Sequence, residues 1–187
     1  MKTYYVRTFG CQMNKHDSER IAGMLEAELG LVHAAAPEVA DVVVFNTCAV
    51  REGAEERLRG QVASLKSSKT GDNADMIIAV GGCIGQRDGE TLLSYLPHVD
   101  IVFGTHNVGR LPALIASAAE TRRPAIEVLA EGTGFASDLP GVRERPWHAW
   151  LPITVGCDNF CTYCIVPYVR GRERSRPLED IVAEAER

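Results

Sequence analysis

Short apolar segments alternate with helical segments through the first two thirds of the chain. Asp41–Asn46 (DVVVFN) and Met76–Val80 (MIIAV) contain continuous apolar runs, which are typical of strands buried on both faces. The segment Arg51–Lys66 between them has helical spacing, with apolar residues three or four positions apart: Ala54, Leu58, Val62 and Leu65. Strands that alternate with helices form a parallel sheet covered by helices. The sequence therefore predicts an α/β fold.

Further strands and helices complete this alternation. We expect strands at Thr3–Thr8 and Asp100–Phe103. Helices are predicted where apolar residues share one face: Ile21–Leu29, Thr91–Leu96 and Val108–Ala119. Asp17 and Ser18 favour the start of the first of these helices, because both residue types cap helices well. Gly30 suits the left-handed residue at which many helices end.

The composition of the chain limits the classes of protein to which it can belong. The 187 residues are 45% hydrophobic and 24% charged, as is usual for soluble globular proteins. No apolar run approaches the roughly 20 residues of a membrane span, and the start (MKTYYVRTFG) lacks a signal-peptide pattern. We therefore expect a cytoplasmic protein with no membrane partner. The net charge of −5 argues against nucleic-acid binding by the chain as a whole.

A change of composition divides the chain. Glu131 to Trp147 is rich in glycine, proline and charge and reads as a linker. The sequence thus predicts a first domain at 1–130, a linker at 131–147 and a second unit at 148–187. That second unit has an expected strand at Leu151–Val155 and a helix that starts at Pro177.

Three cysteines in the second unit have the spacing C-x3-C-x2-C: Cys157, Cys161 and Cys164. Three thiolates can hold three irons of a four-iron cluster and leave the fourth iron without a protein ligand. Clusters that only transfer electrons normally have all four irons bound by the protein, so an open iron indicates that a small molecule binds the metal.

The alternative is that the three cysteines form a zinc site or are unrelated buried thiols. Zinc would need a fourth Cys or His at compatible spacing, and none follows Cys164. Six cysteines in a chain without a secretion signal favour metal ligation over disulfides.

The other three cysteines, Cys11, Cys48 and Cys83, each come just after a predicted strand. The carboxyl ends of parallel strands line one edge of a sheet, where ligands bind. The sequence therefore predicts that the three thiols converge on a shared metal site. The alternative is three independent small residues at tight turns between strands and helices.

The segments around all six cysteines resemble those of a known family. VGCDNFCTYCIVPYVRGR is similar to the signature of the radical S-adenosylmethionine (radical SAM) superfamily, including the aromatic Tyr163 before the third cysteine. TFGCQMNKHDSE, FNTCAVREGAEER and GGCIGQ resemble the amino-terminal domain of the methylthiotransferases. Gln12, Met13 and Asn14 match the MiaB-type branch, which modifies tRNA. Gly85 departs from the pattern, because the family more often has alanine there.

The resemblance implies a fold, a reaction and its cofactors. It implies a flavodoxin-like parallel-sheet domain followed by the start of a radical SAM TIM-like barrel. Cys157, Cys161 and Cys164 would hold a [4Fe-4S] cluster that binds S-adenosyl-L-methionine, with Tyr163 near its adenine. The other three cysteines would hold an auxiliary [4Fe-4S] cluster. The reaction would add a methylthio group to C2 of N6-isopentenyl adenosine next to the anticodon, with flavodoxin or ferredoxin as electron donor.

A complete βα barrel takes on the order of 200 residues, so residues 148–187 can supply only its beginning. The chain therefore resembles the amino-terminal portion of a longer enzyme. We expect it to be inactive alone and to bind tRNA weakly without the family's carboxyl-terminal RNA-binding domain. Two alternatives stay open: a methylthiotransferase for threonylcarbamoyl-adenosine or a ribosomal protein, and a non-catalytic iron–sulfur or zinc protein.

Four arginines lie within seven residues near the end of the chain: Arg170, Arg172, Arg174 and Arg176. Guanidinium groups recognise phosphate well, so contact with tRNA is one interpretation. The other is that these arginines pair with acidic neighbours or line the cofactor pocket. The five histidines show no metal-binding spacing and are expected to be structural.

Overall fold

A six-stranded parallel sheet forms the centre of the protein. The computed structural model describes residues 1–49, 53–132 and 134–186. The strands of the sheet are β1 (Thr3–Phe9), β2 (Val32–His33), β3 (Val42–Thr47), β4 (Ile77–Gly82), β5 (Ile101–Phe103) and β6 (Ala125–Glu127). Their spatial order is β2-β1-β3-β4-β5-β6, and all neighbouring pairs are parallel. The first five strands follow the flavodoxin order, which confirms the predicted α/β class.

Helices cover both faces of this sheet. They are α1 (Gln12–Leu29), α2 (Ala54–Ser64), α3 (Lys66–Thr70), α4 (Cys83–Asp88), α5 (Leu92–Tyr95) and α6 (Leu111–Thr121). Alternate residues of a strand point to opposite faces, so β3 contributes Val42 and Val44 to one core and Val43 and Phe45 to the other. The first core lies beneath α1 and α6, and the second lies beneath α2, α4 and α5. Both faces need apolar residues, which explains the continuous apolar runs of the sequence.

The predicted elements match the observed ones with shifts at their ends. The helix expected at Arg51–Lys66 is observed as α2 and α3, while residues 51 and 52 lie outside the described ranges. Gly30 ends α1 in the left-handed conformation, at φ 64°. The expected start of α1 near Asp17 is wrong. The helix begins at Gln12, directly after Cys11, and Asp17 lies in its second turn.

Residues 134–186 form a smaller region that packs against the first. The expected strand at Leu151–Val155 is observed only as β7 (Thr154–Val155), which pairs antiparallel with β8 (Arg174–Ser175). Two helices belong to this region: α7 (Val166–Arg170) and α8 (Leu178–Ala185). The start of a TIM-like barrel and the boundaries 1–130, 131–147 and 148–187 stay predictions.

Several contacts join the two regions. Helix α7 packs on α4, and Thr105 Oγ1 donates a hydrogen bond to the carbonyl of Val169. The Val142 N–H donates to the carbonyl of Glu19 in α1 at 2.9 Å. None of the helices in the described ranges combines the length and the apolarity that crossing a membrane requires.

Candidate metal centre

Three cysteines lie at the carboxyl edge of three neighbouring strands. Cys11 directly precedes α1 after β1, and Cys48 directly follows β3. Cys83 is the first residue of α4, immediately after β4. The strands β1, β3 and β4 are adjacent in the sheet, and their ends are in register. The structure thus brings together at one edge three residues that lie 37 and 35 positions apart in the sequence.

The thiols of Cys11 and Cys48 are in contact. A hydrogen bond from Cys48 is the main cause that lowers the pKa of Cys11 to about 5. Burial raises this pKa, but the backbone N–H groups of Asn14 and Met13 and the charge of Arg170 lower it further. Metals bind cysteine as thiolate, so the local environment favours the form that a metal or cluster requires.

Two buried asparagines fix the loop that carries Cys11. Asn14 Oδ1 accepts a hydrogen bond from the Cys11 N–H at 3.3 Å, and Asn14 Nδ2 donates to Asn46 Oδ1 at 3.1 Å. Asn46 Nδ2 in turn donates to the carbonyl of Asn14 at 2.8 Å. These bonds tie the start of α1 to β3. Each amide satisfies the other inside the core, where an unpaired polar group would be costly.

A glycine is required directly before Cys83. Gly82 has φ 81°, a left-handed conformation that residues with a side chain rarely adopt. A Cβ at this position would lie 2.4 Å from Asn46 Oδ1 and 2.5 Å from the carbonyl oxygen of Thr47. The close approach of the β4 end to the β3 end therefore depends on Gly82, and it is what brings Cys83 towards Cys48.

A buried arginine from the second region lies on the helix that packs against α4, which begins with Cys83. Arg170, the last residue of α7, is 7% exposed, and its Nη1 lies 2.7 Å from Asp17 Oδ2. Its charge also acts on the Cys83 thiol, because α7 packs on α4 and Cys83 is the first residue of α4. Burial lowers the pKa of Arg170, but Asp17 and Cys83 outweigh it and hold this pKa above its ordinary value. The guanidinium is therefore a permanent positive charge at the cysteine site.

Asp17 is the buried counter-charge of Arg170. Burial raises the pKa of Asp17, but Arg170 and the neighbouring His16 more than offset this, so the pKa lies below its usual range. This role differs from the predicted one, in which Asp17 lies at the start of a helix. One signal was available, because Asp17 lies four positions before Ile21 and so falls on the apolar face of α1.

Within the described residues, no group of three or more Cys, His, Asp and Glu side chains could hold a single metal ion. A four-iron cluster makes a different demand, since each of its thiolate ligands binds a different iron. The donor set fits such a group in its chemistry: three cysteines lie at one sheet edge, one of them with a lowered pKa, and the charge of the buried Arg170 acts on two of them. That these cysteines hold a cluster stays a prediction.

The second cysteine motif lies on a surface loop after β7. The Cys157 N–H donates to the carbonyl of Gly171 at 3.2 Å, and Asn159 Nδ2 donates to the Cys157 sulfur at 3.3 Å. The Cys164 N–H donates to the carbonyl of Cys161 at 2.9 Å, which closes a turn. Cys161 is exposed, as are nine tenths of the Tyr163 side chain. The cluster and S-adenosylmethionine assigned to this loop stay predictions.

Each of the four clustered arginines has a partner within the chain. Besides the Arg170–Asp17 pair, Arg172 Nε lies 2.9 Å from Asp158 Oδ1. Arg174 Nη1 donates to the carbonyl of Gly132 at 2.8 Å. The fourth, Arg176, is buried and pairs with Glu184 of α8, which also pairs with Arg20 of α1. The structure thus supports the interpretation that these arginines pair internally.

Residues 3–104 match the family model described as uncharacterized protein family UPF0004. The chain is 52% identical over 98% of its length to the "tRNA-2-methylthio-N(6)-dimethylallyladenosine synthase" of Mycolicibacterium paratuberculosis, of which it covers 35%. The proteins of the same name from Mycobacterium leprae and Paenarthrobacter aurescens are 53% and 54% identical over 99% and 98% of the chain.

The chain spans about a third of the length of these curated relatives, 36% of the Mycobacterium leprae protein and 35% of the Paenarthrobacter aurescens protein. The family match covers most of the sheet and all three cysteines of the candidate metal centre. Because it extends over more than half of the sequence, the chain belongs to the uncharacterized protein family UPF0004.

Proposed function

We propose that the chain is the amino-terminal part of a radical SAM tRNA methylthiotransferase. The whole enzyme would add a methylthio group to C2 of an N6-isopentenyl (dimethylallyl) adenosine next to the anticodon. The observation that carries this proposal is the identity of 52–54% to relatives named for that product. The convergence of Cys11, Cys48 and Cys83 at one sheet edge supports it, because it supplies the chain with a second thiol site beside the C-x3-C-x2-C motif.

Two [4Fe-4S] clusters are the proposed cofactors. One would be held by Cys157, Cys161 and Cys164 and would bind S-adenosyl-L-methionine, with Tyr163 at its adenine. The other would be held by Cys11, Cys48 and Cys83. When bound, the first would supply the radical that attacks the base and the second would supply sulfur. An aromatic C2–H is too weak an acid for removal by an ordinary base, which is why a radical route is reasonable.

The residues of the chain would hold and protect these groups. Cys48 and Cys83 are buried at the sheet edge, so the fold shields their side from water. The asparagine pair fixes Cys11, and Gly82 allows the close approach of Cys83. The protons of the three thiols would be released when they bind iron, and the low pKa of Cys11 reduces the cost of that step.

The partners of the whole protein are proposals as well. We propose tRNA as substrate, S-adenosylmethionine as cosubstrate, and flavodoxin or ferredoxin as electron donor. Action on tRNA would place the protein in the cytoplasm. Because Arg170 and Arg176 are held in buried ion pairs, we expect most tRNA contacts to come from residues beyond this part, and the chain alone to lack turnover.

The test is anaerobic iron and sulfide analysis with Mössbauer spectra, on the chain and on a Cys157/Cys161/Cys164→Ala variant. We expect about eight irons per chain, falling to about four in the variant. A single cluster that is lost entirely in the variant would remove the proposed site at Cys11, Cys48 and Cys83. Zinc without sulfide would contradict both clusters and favour the structural alternative.

The substrate needs a separate assay with the longer protein. We expect methylthiolation of a tRNA that carries N6-isopentenyl adenosine, and none of threonylcarbamoyl-adenosine tRNA or of a ribosomal protein. Activity only towards one of the latter two would assign the protein to a sister branch. Turnover by residues 1–187 alone would contradict the view that this part is incomplete.

A further inference from the structure

Arg170 connects the two regions of the protein at the candidate metal centre. It ends α7, which packs on α4, and Cys83 is the first residue of α4. Its guanidinium pairs with Asp17, and its charge acts on the Cys83 thiol. The same charge also acts on Cys11. A permanent cation is thus built into a site whose expected occupant has anionic ligands.

Three neighbouring side chains of α1 form a series of contacts that ends at the carboxylate that pairs with Arg170. Arg20 Nε donates to His16 Nε2 at 3.3 Å, so the ring proton of a neutral His16 belongs on Nδ1. That Nδ1 lies 3.6 Å from Asp17 Oδ1, while Asp17 Oδ2 faces Arg170. His16 and Asp17 are each only 2% exposed. Asp17 therefore lies between the His16 ring and Arg170, with one carboxylate oxygen towards each.

We propose that Arg170 is a positioning residue that raises the reduction potential of the cluster bound by Cys11, Cys48 and Cys83. This inference rests on the proposed function, which assigns the cluster to these cysteines. When the cluster is bound, Arg170 would act on its one-electron reduction by a low-potential donor of the flavodoxin or ferredoxin class, in which no covalent bond forms or breaks. The cation favours the reduced cluster, because reduction adds one negative charge beside it.

The physical basis is the burial of the charge. Hydrogen bonds to the cysteine sulfurs, net charge and solvent exposure are the features that set the potentials of iron–sulfur clusters. Arg170 changes the net charge beside the cluster site, and at 7% exposure its field is screened little by solvent ions. The negative charge of Asp17 partly cancels the positive charge of Arg170. Neutralising Arg170 should therefore lower the midpoint potential of the cluster, and neutralising Asp17 should raise it. A merely structural role would move both variants in the same direction.

The experiment is a redox titration of the reconstituted chain with dithionite, followed by electron paramagnetic resonance. The background variant is Cys157/Cys161/Cys164→Ala, so that only one cluster titrates. We compare Arg170→Gln and Asp17→Asn with Arg122→Gln as a matched control. Arg122 follows the end of α6 and pairs with Asp75 just before β4, at the opposite edge of the sheet.

In the Arg170→Gln variant, we expect the ratio of reduced to oxidised cluster at a fixed poise to fall at least tenfold. For one electron this corresponds to a midpoint about 59 mV more negative. Asp17→Asn should shift the midpoint in the positive direction, and Arg122→Gln should leave it unchanged. Iron and sulfide contents measured on the same samples verify that each variant is loaded.

A loaded Arg170→Gln cluster with the background midpoint would overturn the inference and leave the proposed function intact. If Arg170→Gln binds no iron, Asp17→Asn decides, because it retains the cation: a positive shift supports the inference, and an absent or negative shift overturns it. A background protein that binds no iron at all would contradict the proposed function itself, and the inference with it.

Discussion

The two cysteine sites are built in different ways. Cys11, Cys48 and Cys83 come from three separate strand ends, and the sheet itself brings them together. The second motif lies within eight residues of one surface loop beside a two-stranded antiparallel pair. The positions of the first three cysteines therefore depend on the packed sheet, whereas those of the second three depend on the conformation of one loop. Each site should respond to a different kind of mutation.

The largest effect is expected where the two regions are joined. Glu184 is buried and pairs with Arg176 and Arg20, so Glu184→Ala removes a buried carboxylate that two arginines share. Breaking a buried ion pair costs about 3–5 kcal/mol. In hydrogen-exchange measurements, residues 154–186 should lose protection while β3 and β4 keep theirs. The matched control is the exposed Glu186→Ala, which should change nothing, and equal loss in both regions would contradict the separation drawn above.

A slightly smaller loss is expected from Gly82→Ala, which acts on the first site alone. The left-handed backbone and the overlap with Asn46 and Thr47 together should cost roughly 2–4 kcal/mol of unfolding free energy. Urea denaturation measures this. Gly60→Ala is the matched control, because a Cβ there meets open space within α2 and should stabilise by about 0.5–1 kcal/mol. A neutral Gly82→Ala would mean that the β4 end can relax.

The two sites should also differ in thiol reactivity in the metal-free protein. Cys161 is exposed, whereas Cys48 and Cys83 are buried and need local opening before a reagent can reach them. With iodoacetamide under reducing conditions, Cys161 should be alkylated at least about tenfold faster than either buried cysteine. Peptide mass spectrometry over time gives the separate rates. Equal rates at all three positions would show that the sheet edge is open to solvent.

The smallest effect is expected at the exposed pair of Arg122 and Asp75, which lie 2.7 Å apart at the edge of the sheet opposite the cysteines. Surface ion pairs contribute about 0–1 kcal/mol. Arg122→Gln should therefore leave the urea midpoint nearly unchanged and iron binding fully intact. A loss of iron binding here would show that the cysteine site depends on the whole sheet rather than on its carboxyl edge.

The sheet could be predicted from the sequence because its signals are local. The apolar runs of β3 and β4 and the helical spacing of α2 each lie within a short window. The convergence of the three cysteines followed from topology alone, since neighbouring parallel strands end at one edge. The strand expected at Leu151–Val155 shrank to two residues because its antiparallel partner β8 is itself only two residues long.

The Arg170–Asp17 pair could not be predicted in this way. Its members lie 153 positions apart, and no local pattern tells a run of arginines which carboxylate each will meet. The early start of α1 was missed because Cys11 occupies the position before the helix, where Ser, Thr, Asp or Asn is usual. A cysteine at this helix-capping position is therefore unusual, and this departure from the usual capping residues coincides with the candidate metal centre.

The pairing of Arg170 with Asp17 has a consequence for how this protein can be divided or recombined. The family match ends at residue 104, yet the counter-charge of Asp17 comes from residue 170. A chain cut after the sheet would lose the guanidinium that pairs with Asp17 and the helix that packs on α4. Chimaeras that join this sheet to the following segment of a relative should therefore inherit both members of the pair together. The shortest segment in which Asp17 keeps its counter-charge therefore extends to residue 170, well beyond the residues 3–104 that match the family.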